Sequence, residues 1–165
     1  FLVLDYSSSM GESTGYSGLR KIDVLRDVAA ELLADIPCPQ VGFGGYVSER
    51  GYGPVLTTDA IRFITVVPEP EGGTPLTEAI QFCRQHGAKH LVVVSDGAPD
   101  NRMTAMQAAH DFGGPIDVFY VGPEHDHVGR EFLRQLATAT RGQMQATSLS
   151  DPKQLTNGIR GLLSA

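Results

Sequence analysis

Apolar and polar positions along this chain fall into blocks that switch between strand and helix periods. Phe1-Leu2-Val3-Leu4 is continuously apolar and stops at Asp5. A short unbroken apolar run of this kind reads as a strand buried on both faces. Residues 6–19 mix glycine and serine and read as a loop. Ile22, Leu25, Val28, Ala29, Leu32 and Ile36 then recur at helical spacing, and Pro37 and Pro39 stop that helix. Residues 41–47 read as the next strand, with Gly44-Gly45 marking a bulge or a close backbone approach. Val55-Leu56-Thr57 reads as a short edge strand, and 59–67 as a short helix despite β-branched residues that favour a strand. Thr74-Pro75 has the form of an N-cap and a first helical residue, opening a helix to about Gln85. Strands over 90–95, 116–121 and 143–147 alternate with helices over 101–111 and 128–140. Asp151-Pro152 opens a terminal helix carrying Leu155, Ile159 and Leu162.

Strands alternating with helices imply an α/β fold: a Rossmann-like, doubly wound, mainly parallel sheet of about six strands, with one short antiparallel edge strand and helices on both faces. The 165 residues show no repeat and no dividing linker, so 1–165 reads as one domain. Ligands of such sheets sit outside the carboxyl ends of the strands. Asp5 ends the first strand and Asp96 follows the fourth, which puts both on one rim. If those strands are neighbours, the two carboxylates converge.

Charge narrows the partners. The net charge is −6 and no Lys/Arg run exceeds two residues, which argues against nucleic acid and against an anionic membrane surface. No apolar stretch reaches the ~18 residues a membrane span needs, so membrane insertion is not expected. Cys38 and Cys83 have no metal or redox spacing and read as small hydrophobes. Low cysteine use, compact loops and no visible leader favour a cytoplasmic, bacterial-type setting; an extracellular one stays open if a leader precedes the strand on which the sequence begins.

The chemistry gathers in three segments: Asp5-Tyr6-Ser7-Ser8-Ser9, Gly72-Gly73-Thr74-Pro75 and Ser95-Asp96-Gly97. A buried carboxylate at a strand end is costly unless something positive meets it. Asp5, Ser7 and Ser9 offer hard oxygen donors that suit Mg2+, with Mn2+ or Ca2+ as substitutes, and suit zinc or copper poorly. Each residue also has a plainer use: Asp5 and Asp96-Gly97 as turn formers, Ser7 and Ser9 as loop hydroxyls, Thr74 as a helix cap. The joint occurrence at strand ends and a helix start favours the ion site.

In order and spacing the three segments resemble the von Willebrand factor A (VWA) domain and its metal-ion-dependent adhesion site, over essentially the whole chain. The resemblance implies that Asp5, Ser7, Ser9, Thr74 and Asp96 are the metal-binding residues. It implies that Ser7, Ser9 and often Thr74 contact the ion while Asp5 and Asp96 commonly act through water. It further implies a non-catalytic binding module in which bound Mg2+ accepts an Asp or Glu carboxylate from a protein partner. Bacterial domains of the family often work with an AAA+ ATPase, in chelatase-like assemblies. Tyr6, Tyr16, Asp100 and His125 are expected at the partner-binding rim, although Asp100 is also placed to cap the following helix through Asn101.

Two other readings compete on the residues. Glu124-His125-Asp126-His127 could bind a transition metal, but without supporting ligand spacing it reads better as a solvated loop. A Mg2+-dependent phosphoryl-transfer hydrolase also begins with a strand-terminal aspartate. Haloacid-dehalogenase-like phosphatases need a second aspartate two residues on as general acid, and here that residue is Ser7. No phosphate loop and no Gly-x-Ser-x-Gly elbow is present, so catalysis is not expected.

Overall fold

In the computed structural model of the protein, residues 1–14, 18–44, 54–57 and 69–164 are described. Their elements run β1 (Leu2–Asp5), α1 (Lys21–Asp35), β2 (Gln40–Phe43), β3 (Val55–Thr57), α2 (Leu76–Gln85), β4 (Leu91–Ser95), α3 (Arg102–Phe112), β5 (Ile116–Tyr120), α4 (His127–Ala139), β6 (Met144–Ala146) and α5 (Pro152–Leu163). A single 3-10 turn, Ser8–Gly11, follows β1. The helix expected over 59–67 lies outside the described residues.

The strands form one six-stranded sheet in the order β3-β2-β1-β4-β5-β6. Every pairing is parallel except that of β2 with the edge strand β3. The chain winds outward from β1 in one direction through β2 and β3. It then returns to the other side of β1 as β4, so the winding direction switches between β1 and β4.

Because side chains alternate along a strand, each inner strand supplies both faces of the sheet. Leu2 and Leu4 of β1 and Val92 and Val94 of β4 pack on one face with Ile22, Leu25, Leu32, Leu155 and Ile159 of α1 and α5. Val3, Leu91 and Val93 pack on the other with Ile80, Cys83, Ala105, Leu133 and Leu136 of α2, α3 and α4. That two-sided burial is the reason β1 and β4 read as unbroken apolar runs. Cys83 lies fully in this second core, where burial pushes its thiol up to about 12, and both cysteines are free thiols.

Helix α2 begins at Leu76, later than the Thr74-Pro75 signal suggested. Pro75 is the capping residue, and no side-chain cap bond is made there. Asn101, Asp126 and Asp151 cap α3, α4 and α5 by accepting from the backbone N–H of Thr104, Gly129 and Gln154. Among the described residues no helix is long and apolar enough to cross a membrane.

Candidate functional site

The winding switch between β1 and β4 assembles the site. Register pairs Leu4 with Val94, which sets Asp5 level with Ser95. The Ser95 hydroxyl donates to Asp5 Oδ2 at 2.6 Å, and the backbone N–H of Ser7 donates to Asp5 Oδ1 at 2.8 Å. Both oxygens of Asp5 are therefore oriented by short bonds, and the residue has no exposed surface. Burial, with the nearby Asp96 charge as a further cause, raises the Asp5 carboxyl to about 6.

The turn after β1 carries the donors onward. Ser7 Oγ and Ser9 Oγ lie 3.1 Å apart, and Ser9 Oγ donates to Asp96 Oδ1 at 2.7 Å. With the Ser7 N–H bond to Asp5, this forms a continuous hydrogen-bonded path from the end of β1 to the end of β4. Ser7 is 2% and Asp96 5% exposed, while Ser9 between them is half-buried, so the two ends are sheltered and the middle opens to the surface.

The loop before α2 is tied to the same rim at two points. Gly72 accepts from the Ser8 N–H at 3.1 Å, and Thr74 accepts from the Asp100 N–H at 3.1 Å through its carbonyl oxygen. Asp100 returns the bond, accepting from the Thr74 N–H at 2.8 Å. A Cβ on Gly73 would fall 2.5 Å from the Asp100 carboxylate, so glycine is what lets this clasp close. The Thr74 hydroxyl is not used as a helix cap, which removes its plainer explanation.

A further side chain of the pocket is one the sequence reading missed. Lys21, the first residue of α1, places its ammonium 2.9 Å from Asp96 Oδ2 and 3.1 Å from Glu12 Oε2. Burial pulls the Lys21 ammonium down, but its bonds to Asp96 and Glu12 outweigh this and raise it overall. The signal in the sequence was weak: a cation in the first turn of a helix faces the positive end of the macrodipole. Lysine there asks for an acid nearby.

The expected rim residues separate. Tyr6 is 1% exposed and belongs to the core, not the rim. Its ring lies where a Cβ on Gly44 would come within 2.3 Å of it. Asp100 sits on the rim but acts as the clasp on Thr74, while Asn101 takes the capping role once assigned to the pair. His125 is exposed and lines a cleft of about 620 Å³ that also holds Lys21, Tyr120 and Arg130. Tyr16 lies outside the described residues. In the Glu124–His127 run, Asp126 caps α4 and His127 opens it. Among the described residues no three His, Cys, Asp or Glu side chains cluster as a metal group. An ion at this rim would therefore be held by hydroxyls together with the two aspartates.

The donor set fits a small hard cation. It is all oxygen, it combines hydroxyls with two carboxylates, and one of those carboxylates is held in a setting that disfavours its charge.

No protein-family model and no curated protein matches the chain. Solved structures do. Proximal thread matrix protein 1 (PTMP1) from the mussel byssus superimposes with a TM-score of 0.65 at 13% identity, over 98% of this chain and 44% of that one. The chain thus spans less than half of PTMP1. The VWA domain of SpRpn10 superimposes with a TM-score of 0.62 at 14% identity, over 96% of this chain and 91% of that domain. The fold is VWA-like.

Proposed function

We propose that this chain is a non-catalytic protein-interaction module whose rim, built from Asp5, Ser7, Ser9, Thr74 and Asp96, holds Mg2+ and through it captures an Asp or Glu carboxylate of a partner. The observation that carries the reading is the hydrogen-bonded path Asp5–Ser7–Ser9–Asp96 at the β1/β4 switch, set at the carboxyl edge of the sheet. Ser7, Ser9 and Thr74 are the residues to contact the ion, because hydroxyls fill coordination positions without cancelling its charge. Asp5, with both oxygens engaged by Ser7 and Ser95, acts from behind as the buried acceptor that orients the turn. When bound, the ion supplies an electrophilic site for a partner oxygen, since Mg2+ seeks full octahedral oxygen coordination.

The VWA-like fold supports an interaction module. Against hydrolysis stands Ser7, a hydroxyl where a phosphatase of this strand-end type needs its general acid. The reading is tested by affinity capture with wild-type and Thr74→Ala protein, each with Mg2+ and with EDTA, and by assay of a generic phosphate ester. Partners retained only by the wild type in Mg2+, with no ester turnover, are expected. Steady turnover abolished by Asp5→Ala would overturn the proposal.

A further inference from the structure

The pocket already contains a cation of its own. Lys21 is 12% and Asp96 3% exposed at the side chain, and their 2.9 Å contact is a sheltered ion pair at the heart of the proposed site. Lys21 also touches Glu12, whose side chain is 69% exposed, at 3.1 Å. Its ammonium therefore spans an inner acid that belongs to the ion site and an outer acid that does not.

We propose that Lys21 is the built-in counter-cation of the site, holding Asp96 when no divalent ion is present and opposing the ion's entry. This inference rests on the ion-site reading above. The physical ground is charge. Asp5 and Asp96 bring two negative charges into a sheltered space, and Lys21 cancels one of them. A divalent ion alone would balance both carboxylates; with Lys21 still seated on Asp96 the sheltered groups carry a net positive charge, which only the exposed Glu12 offsets from outside. A sheltered unit charge a few ångströms from the ion interacts far more strongly than it would in bulk water. Glu12 makes the exchange feasible. It keeps an acceptor for the ammonium outside the ligand set, so Asp96 can be released without stranding Lys21 unpaired. Lys21 is accordingly a positioning and affinity-setting residue, not an ion ligand.

The test is Mn2+ binding to the full chain, by titration calorimetry or by the signal of free Mn2+ in electron paramagnetic resonance. Wild type is compared with Lys21→Met and Lys21→Gln, and the folding of each is checked by circular dichroism. Both variants are expected to bind Mn2+ on the order of tenfold more tightly. Both should also melt at lower temperature than wild type in EDTA, because Asp96 loses its counter-charge. If Lys21→Met does not fold, Lys21→Gln decides, since glutamine still donates to Asp96. Binding by the variants where wild type binds none also supports the proposal. Wild-type binding that is equal or tighter than that of folded variants overturns the role of Lys21 and leaves the ion site standing. No Mn2+ binding by wild type or by any folded variant overturns the ion site, and this inference with it.

Discussion

Asp5 shows how one residue can be necessary to a site and a burden to the fold. It is fully buried, its neighbours orient it, and its carboxyl is raised to about 6. A carboxyl raised on folding contributes stability that is fully present below its unfolded value of 3.8 and lost as pH climbs through the folded value. In chelator, Asp5→Asn should therefore gain on wild type between about pH 4 and pH 7, by on the order of 3 kcal/mol at the upper end. Urea denaturation at each pH measures it, and a difference that does not change with pH would refute the account of Asp5. Thr74 gives the complementary case. Its hydroxyl makes no cap bond, so Thr74→Ala should leave the melting temperature in EDTA within a degree or two of wild type. The same variant should lose the rise that Mg2+ gives the wild type, where a ligand at about 100 times its dissociation constant adds roughly 2.7 kcal/mol. A melting curve that responds to Mg2+ equally in both proteins would remove Thr74 from the site. Asp5, Thr74 and Asp96 stood out in the sequence as polar residues at the end of an apolar run or the start of a helix, and Ser7 and Ser9 as hydroxyls at alternate positions close after Asp5. Ser95 and Lys21 did not, since a serine closing a strand and a lysine on a helix are ordinary until the register and the fold bring acids to them.

At the scale of elements, the alternation of apolar runs and helical spacing was enough to place the strands and helices described, because each buries a face whose period is its own. Boundaries followed local chemistry less faithfully. The Thr74-Pro75 signal opened α2 too early because Thr74 is held by Asp100 across the rim, a tertiary bond that no neighbouring residue announces. Close packing also reverses a propensity rule within α5. Glycine to alanine inside a helix ordinarily adds up to about 1 kcal/mol. Gly161 has no atom within 4 Å of where a Cβ would sit, so Gly161→Ala should stabilise by a few tenths to about 1 kcal/mol. At Gly158 the new Cβ would fall 2.5 Å from the Phe119 ring, so Gly158→Ala should instead destabilise by about 1–3 kcal/mol. Paired thermal denaturation measures both, and the same sign at the two positions would contradict the packing of α5 on β5.

For the whole molecule, what brings the candidate site together is the topology. The pairing of β1 with β4 makes Asp5 and Asp96 neighbours; any order that separated these two strands would leave two unrelated turn aspartates. The sequence could state that dependence but could not fix it, because strand order is set by long-range pairing rather than by any local pattern. With the order in place, the Gly72–Thr74 loop is drawn to the same rim by its bonds to Ser8 and Asp100. The rim is then a set of oxygens from three distant segments, held by the sheet and crossed by the Lys21 ammonium. The most direct test is anomalous diffraction from crystals grown with Mn2+ in place of Mg2+. The account predicts one strong peak between the hydroxyls of Ser7, Ser9 and Thr74, with Asp5 and Asp96 behind it. No peak at that position at millimolar Mn2+, in crystals of the wild type and of folded Lys21→Gln protein alike, would contradict it.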